Sequence, residues 1–568
     1  MKQLLCRASL LLMVALPMAC SNDRDNDTTE DKRITIDAGN LQFSIAEAAF
    51  GADTEIQMRS AKPIIARQEV NLGESVEAEI SIERDPAPAA TRAPKPMSDG
   101  NYTIVAYKDG VRIQQKLTFT VSSGFVTYTS SRSAFKSLPT GSYSFVCFND
   151  KVQDNNDGTF TVDLANAETA LINHQSATYT QHTNTMVFFT MQRMGARVRT
   201  KLIAAMEPTG VNGTLGYLAN RIPVSADYKV TYTAGSYVSS YMPSTNKNTS
   251  PKDEAQAYNV SGTVNDATLG SLNSLTGNQY LSVLAGTKPE DLVYSITGGS
   301  VYNSALNTNG TRSLKGSIPF EANGSYTLTI KILPRYLYLY EDGKTGHLKD
   351  ADRQSHVPIA IVFDATGKRA IALWDANGGN KMKWTNESSY AKKHNDAYYQ
   401  DLTVLEPAAG QGKHWTWDKS GSVDGTTIKA NEPTKFPVFY YAGKFYNSPD
   451  LTSHLNGKTL VANLNQDGVW YLPSQYEWKE VLVKLGMGDG SQMVFSGGRS
   501  YPWKGNMVNY AFVAANGTSI ATNSNRDYWS SSENGYSTAY YVYMRRQSPA
   551  FTRWRKNDEH MVRPFVAY

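Results

Sequence analysis

The chain has 568 residues, too many for one ordinary core, so about three domains are expected. Charged residues make up 19% and aromatics 11%, and 34 Tyr sit among abundant Thr, Ser, Gly and Asn, a mixture that favours strands and turns. The net charge of +4 is spread without a basic stripe, which argues against nucleic acid as a partner.

Residues 1–19 have a basic first turn and a short apolar run that ends in Ala19 before Cys20. The run is too short to span a bilayer and reads as an export signal. The Ala19-Cys20 junction resembles a bacterial lipoprotein cleavage site, which implies an acylated Cys20 and an outer-membrane anchor. Residues 20–37 follow as a tether, with Asp23, Asp25, Asp27, Glu30 and Asp31 against Arg24 and Lys32. Such a polar tract cannot bury a core. An acidic tract after an acylated Cys also resembles the surface-export signal of some Gram-negative lipoproteins. With the signal removed only Cys20 and Cys147 remain, so an acylated Cys20 rules out an intramolecular disulfide.

From Ile34 to about residue 190 strand follows strand. In "NYTIVAYKDGVRIQQKLTFTV" two β-rich runs flank a "KDG" hairpin turn. "LPTGSYSFVCFND" places Tyr143, Phe145 and Cys147 on one face, with Cys147 as a small core residue. "DNNDGTFTV" lacks the later Glu of a calcium loop, and Asp157-Gly158 reads as a turn. "ERDPAPAATRAPKPMSDG", with Arg84 and Arg92, reads as an exposed connection open to proteases. A second β-rich block runs from "MQRMGARVRTKLIA" to "GSYTLTIKILPRYLYLY", with long loops expected around 235–275. A charged linker leads to a third unit from about residue 350 that holds all nine Trp. Its clearest helix is "LPSQYEWKEVLVKLG", with Ser474 and Glu477 as a capping box.

Two resemblances follow. "NLGESVEAEISIERDPAPAATRAPKPMSDGNYTIVAYKDG", "SLPTGSYSFVCFND" and "QRMGARVRTKLI" are similar to the fimbrillin family of type V pilus proteins, over roughly residues 35–335. This implies two transthyretin-like β-sandwich domains, at 38–190 and 191–340. It also implies an Arg-specific protease that removes the first strand, so that the groove accepts a strand from another fimbrial subunit by donor-strand exchange. Arg92 is the first candidate for that cut and Arg84 the second. "AIALWDANGGNKMKW", "GVWYLPSQYEWKEVL", "YWSSSE", "AYYVYM" and "VRPFVAY" resemble a C-type-lectin-like module of the "major paralogous" type, which implies an α+β domain at 350–568.

No enzyme, cofactor or metal is expected. No Cys follows Cys147, so the oxidase chemistry of that superfamily is missing, and the Glu-Pro-Asn and Trp-Asn-Asp strings of calcium lectins are absent. Asp375, Asn377 and Asn380 in "DANGGN" read as a polar turn. The histidines have no metal-type spacing, and no GxSxG elbow occurs. In "YWSSSENGYSTAYYVYMRR" the lectin-like resemblance implies Trp529 in the core and Tyr540–Tyr543 in a central strand. Glu533, a lone acid in apolar surroundings, needs a partner, and Arg563 is the candidate. Ligand contacts are expected from two loops: Arg499, Tyr501 and Trp503 in "SGGRSYPWKGNMVNY", and Arg553 and Trp554, near Arg545 and Arg546, in "MRRQSPAFTRWRKNDEH". The reading is a surface-exposed fimbrial subunit at the cell outer membrane. It is expected to act as a tip adhesin for a glycan or protein, because the lectin-like resemblance implies that "VRPFVAY" closes the last domain, which would leave no strand to donate. The alternative is a surface glycan-binding lipoprotein that never polymerises.

Overall fold

The computed structural model describes residues 33–51, 64–73, 75–86, 96–244, 246–248, 253–306, 312–398, 411–491, 501–522 and 526–568. These residues are mainly β, as the composition predicts.

Side chains alternate with the pleat from the start. β1 (Ile34–Asp37) buries Ile34 and Ile36 and exposes Thr35 and Asp37. β2 (Leu41–Glu47) turns Leu41, Phe43 and Ile45 into the same core. Then come β3 (Ile64–Asn71), β4 (Val76–Arg84), β5 (Gly100–Lys108), β6 (Val111–Ser122), β7 (Phe125–Tyr128), β8 (Gly141–Asn149), β9 (Leu171–Tyr179) and β10 (Thr185–Arg193). The first sheet has the order β1-β2-β10-β9-β8-β5-β6-β7. The "KDG" turn joins β5 to β6, with Asp109 at φ 51° and Gly110 at φ 81°. Both values lie in the left-handed region that a tight two-residue hairpin needs.

β10 ladders with β9 only at Leu171↔Arg193 and Ile172↔Gln192. Along the rest of its length it runs parallel to β2, from Thr185↔Leu41 to Met191↔Glu47. The sheet folds over at that point. The Phe43 ring of β2 therefore stands 5.4 Å from Phe145 of β8 and 6.0 Å from Phe189 of β10. The result is a β-sandwich. Tyr143, Phe145 and Cys147 share its inner face and are fully buried. Cys147 is a free thiol, and burial pushes its pKa up, away from nucleophilic use.

The second sheet contains β11 (Gly195–Ala204), β12 (Thr209–Tyr217), β13 (Asp253–Asp266), β14 (Gly270–Leu284), β15 (Leu292–Val301) and β16 (Ser325–Pro334). β13 pairs with β12 up to Ala257 and with β14 from Tyr258 onward, so one strand passes between two layers. The region expected as long loops at 235–275 is thus largely strand. Its polarity marks a ladder whose side chains face solvent, since most of β13 is exposed.

β3 and β4 correct the expected boundary between 38–190 and 191–340. They precede the bulk of the first sandwich in sequence but belong to the second sheet. β4 pairs with β16 from Val76↔Pro334 to Arg84↔Tyr326. The reason is its buried face: Val76, Ala78, Ile80 and Ile82 join the second core, not the first. Between the two destinations the chain is pinned by an ion pair. The Glu47 carboxylate, at the end of β2, is fully buried and meets the Arg193 guanidinium at the end of β10. Arg193 also donates to Ala48 O at 2.7 Å and Asn323 Oδ1 at 3.2 Å.

The third unit has a sheet built around β17 (Pro358–Asp364) and β18 (Arg369–Ala372), helices α1 (Gln475–Lys484) and α2 (Gly505–Ala514), and a three-stranded sheet of β19 (Arg526–Glu533), β20 (Thr538–Met544) and β21 (Ala550–Arg555). β22 (Phe565–Ala567) lies between β18 and Trp470–Tyr471. α1 begins as expected: Ser474 Oγ accepts from Glu477 N at 3.2 Å, and the Glu477 carboxylate accepts from Ser474 N at 2.8 Å. The β3–β4 hairpin also touches this unit. Lys349 Nζ reaches Glu69 at 2.9 Å and Glu77 at 3.0 Å, and Arg335 N donates to Ser75 O at 2.8 Å. A cleft of about 790 Å³ opens beside it, lined by Ser75, Tyr302, Tyr336, Phe363 and Met487.

Arg193→Leu leaves the Glu47 charge buried without its cation. The expected loss is about 3–5 kcal/mol, read from urea unfolding followed by tyrosine fluorescence. The double variant Glu47→Leu/Arg193→Leu should recover part of that loss.

Candidate ligand-binding face

Trp529 lies where expected. It is fully buried, and its Nε1 donates to Met382 O at 2.8 Å. The expected Glu533–Arg563 pair does not form. Both side chains are fully buried, but each has another partner. Glu533 sits at the end of β19, where backbone donors enclose its carboxylate. Asn395 N donates to it at 2.8 Å and His394 N at 3.0 Å, and the Lys556 ammonium closes the contact. Lys556 Nζ also donates to Tyr536 O at 2.8 Å and Lys392 O at 2.9 Å, and it lies 5.2 Å from the Trp384 ring centroid. Burial pulls the Lys556 pKa below the ordinary lysine range, and the Glu533 charge offsets part of that. Arg563 instead holds Asp375 at 2.8 Å and donates to Ala372 O at 3.1 Å and Thr518 O at 3.0 Å. Sequence order explains the error. Arg563 and Lys556 both lie near the end of the chain, and only the β20–β21 hairpin decides which one reaches Glu533.

Of the expected ligand contacts, Tyr501 and Trp503 are corrected to core. They are 3% and 5% exposed. The Tyr501 ring stands 6.0 Å from Phe551, and Trp503 Nε1 donates to Arg545 O at 2.6 Å. These aromatics fasten their loop to the β20–β21 hairpin and cannot present a face to a ligand. Arg499 lies outside the described residues, as do Cys20 and Arg92. Arg84 is described and is not in an exposed connection. It ends β4, laddered to Tyr326, with its guanidinium on Glu321. A protease needs a free extended segment, and a laddered residue does not offer one.

Arg553 and Trp554 are on the surface. Among the described residues β21 pairs only with β20, from Tyr543↔Ala550 to Thr538↔Arg555, which leaves its other edge open. Trp554 is 54% exposed on that edge. Arg553 Nη1 donates to Asn534 Oδ1 at 2.7 Å. Two tyrosines that sequence reasoning missed lie at the same end of the sheet. Tyr536, in the β19–β20 turn, is 63% exposed, and its ring is 6.2 Å from Tyr398, which is 38% exposed. The turn is tied to the end of β21 through Lys556 N→Ser537 O at 3.1 Å. The signal for Tyr536 was a lone aromatic between Gly535 and Ser537, a turn position where a core residue is out of place. This edge of the sheet therefore brings an exposed ring on one side of the strand and guanidinium groups on the other within reach of one ligand, a pairing suited to recognition. Among the described residues, Glu341, Asp342 and His356 also converge, but the Arg353 guanidinium already holds Asp342 at 3.0 Å and Val357 N donates to Glu341 at 2.8 Å.

No family model and no curated protein matches the chain. Solved structures do. A fimbrial protein from Bacteroides ovatus aligns over 84% of this chain and 96% of its own, at 13% identity and a TM-score of 0.23. Proteins described as putative cell adhesion proteins from Bacteroides uniformis and Bacteroides fragilis align over 41% and 54% of this chain, and 86% and 95% of their own. Each of the two is 13% identical, with a TM-score of 0.24.

Lys556→Met should destabilise the third unit by about 3–5 kcal/mol, because Glu533 stays buried without its cation. All nine Trp lie in this unit, so tryptophan fluorescence during urea unfolding isolates it. A double-mutant cycle should show strong coupling of Glu533 to Lys556 and none of Glu533 to Arg563.

Proposed function

We propose that the chain is a surface-displayed fimbrial subunit of the fimbrillin type that acts as an adhesin. Its third unit, which we read as C-type-lectin-like, binds a glycan or protein through Trp554 and Arg553, without an enzymatic step or cofactor. One observation carries the subunit reading. The described residues before residue 87 supply β1 and β2 to the first sandwich and β3 and β4 to the second. The Pro- and Ala-rich stretch with Arg92 then joins these four strands to the rest. A cut there would bare the edge of β10 and the edge of β16 together. Those are the two edges that an incoming strand would need. Acylation of Cys20 would anchor the chain at the outer membrane, and display at the fimbrial tip would place the β21 edge outward. β22 is held between two neighbours and so is not free to be donated. The solved fimbrial and cell adhesion proteins agree with this reading without carrying it.

The non-polymerising alternative is favoured by the Glu47–Arg193 pair, which holds β2 in place and resists release of the N-terminal strands. Limited digestion with an Arg-specific protease separates the two readings. Fimbrial assembly predicts a cut after Arg92, release of β1–β4 and SDS-resistant oligomers. A nicked but monomeric product would favour the alternative. For the adhesin role, Trp554→Ala should weaken binding to cells or glycans by about 30-fold, the effect of losing a central aromatic contact of about 2 kcal/mol. Its unfolding midpoint should not change, because the side chain is largely exposed.

A further inference from the structure

We propose that the β21 edge takes a polyanionic glycan, a polysaccharide whose carboxylate or sulfate groups repeat along the chain. This deepens the ligand-binding reading of the third unit and rests on it. From Met544 to Arg555 the sequence is "MRRQSPAFTRWR", with four arginines and no Asp or Glu. Arg545, Arg546, Arg553 and Arg555 are all exposed. None of them enters an ion pair among the described residues. Elsewhere Arg193, Arg353, Arg369 and Arg563 each hold a carboxylate. Such a run of cations without carboxylate partners stands out in a chain whose net charge is only +4.

The chemistry selects the ligand class. A guanidinium donates hydrogen bonds and cannot accept them. A neutral sugar offers hydroxyl groups that donate as well as accept, so its sites need carboxylate or amide acceptors beside the donors. This edge has donors in excess. Carboxylate and sulfate oxygens only accept, and they pair with the guanidinium fork in a charge-assisted geometry. Arg553 and Arg555 are two residues apart on one strand and so share a face, about 7 Å from each other. Trp554 points to the opposite side. Only the open edge between the two faces lies within reach of both, so a chain-like ligand running along β21 meets cations and ring together. Its backbone would also find the unpaired N–H groups of the edge strand. Tyr536 extends the aromatic surface at the Arg555 end. A surface-displayed position makes a glycan, and not a nucleic acid, the polyanion that the edge meets.

The test uses the full chain on immobilised heparin, a sulfated uronate polysaccharide, with neutral dextran as the control. One variant carries Arg545→Gln, Arg546→Gln, Arg553→Gln and Arg555→Gln. A charge-matched variant carries Lys116→Gln, Lys229→Gln, Lys315→Gln and Lys458→Gln, all exposed positions away from the edge. Heparin binding that exceeds dextran binding, weakens steeply with salt, falls more than about tenfold in the Arg variant and falls less than about threefold in the Lys variant supports the proposal. Trp554→Ala should also lower it. Equal loss in both variants would reduce the effect to net charge and overturn the proposal, as would stronger competition by single-stranded DNA than by heparin. Binding to neutral glycans that Trp554→Ala abolishes and the Arg variant spares would overturn the polyanion while leaving the ligand face intact. Glycan binding that neither variant alters would overturn both. Tryptophan-detected unfolding confirms that the third unit of the Arg and Trp554 variants is folded, and far-UV circular dichroism does the same for the whole chain of the Lys variant.

Discussion

Two strand pairings hold the first two units together: β2 beside β10 and β4 beside β16. In each case a strand from the first part of the chain meets a strand that comes more than a hundred residues later. Without β1 and β2, Phe43 and Ile45 leave the first core, and the Phe145 and Phe189 rings lose an aromatic neighbour. Without β4, the buried row Val76, Ala78, Ile80 and Ile82 leaves the second. Each fully buried aliphatic or aromatic side chain of this kind is worth about 1.5–3 kcal/mol, so neither sandwich tolerates the loss without a replacement strand. The Glu47–Arg193 pair stands where these commitments meet, which makes a buried charge the point of registration between sheets.

The third unit depends on a different balance. It buries Glu533, Lys556, Arg563 and Asp375, and it does so by surrounding each charge with hydrogen-bond partners from distant segments. Glu533 draws on residues 394, 395 and 556, while Arg563 draws on residues 372, 375 and 518. Burying charges in this way adds little net stability, because desolvation consumes most of the Coulombic gain. It does penalise any packing that separates the partners, and that restricts the unit to one arrangement.

Local features of this fold were legible in the sequence. The shared face of Tyr143, Phe145 and Cys147, the "KDG" turn and the Ser474–Glu477 capping box follow from neighbours within a few residues, and the burial of Trp529 was implied by the lectin-like resemblance. Long-range choices were not. β4 alternates well enough to fit either sandwich, and nothing in "VEAEISIER" says that its partner is β16, far downstream. Trp503 and Trp554 both sit among Arg and Gly or polar residues, yet one is anchored under a hairpin and the other lies on an open edge. The need of Glu533 for a cation was readable from chemistry. The identity of that cation depended on strand register, which local composition does not encode.

The open edge of β21 has a further effect on how the molecule behaves in company. A strand with a free ladder of N–H and C=O groups invites a strand from another molecule, and uncontrolled pairing of that kind leads to aggregation. Arg553 and Arg555 place two positive charges on the approach path, so a second copy of the same edge meets its own charge and is turned away. The charge that this edge offers to a ligand is therefore also what guards it against pairing with a second copy of itself.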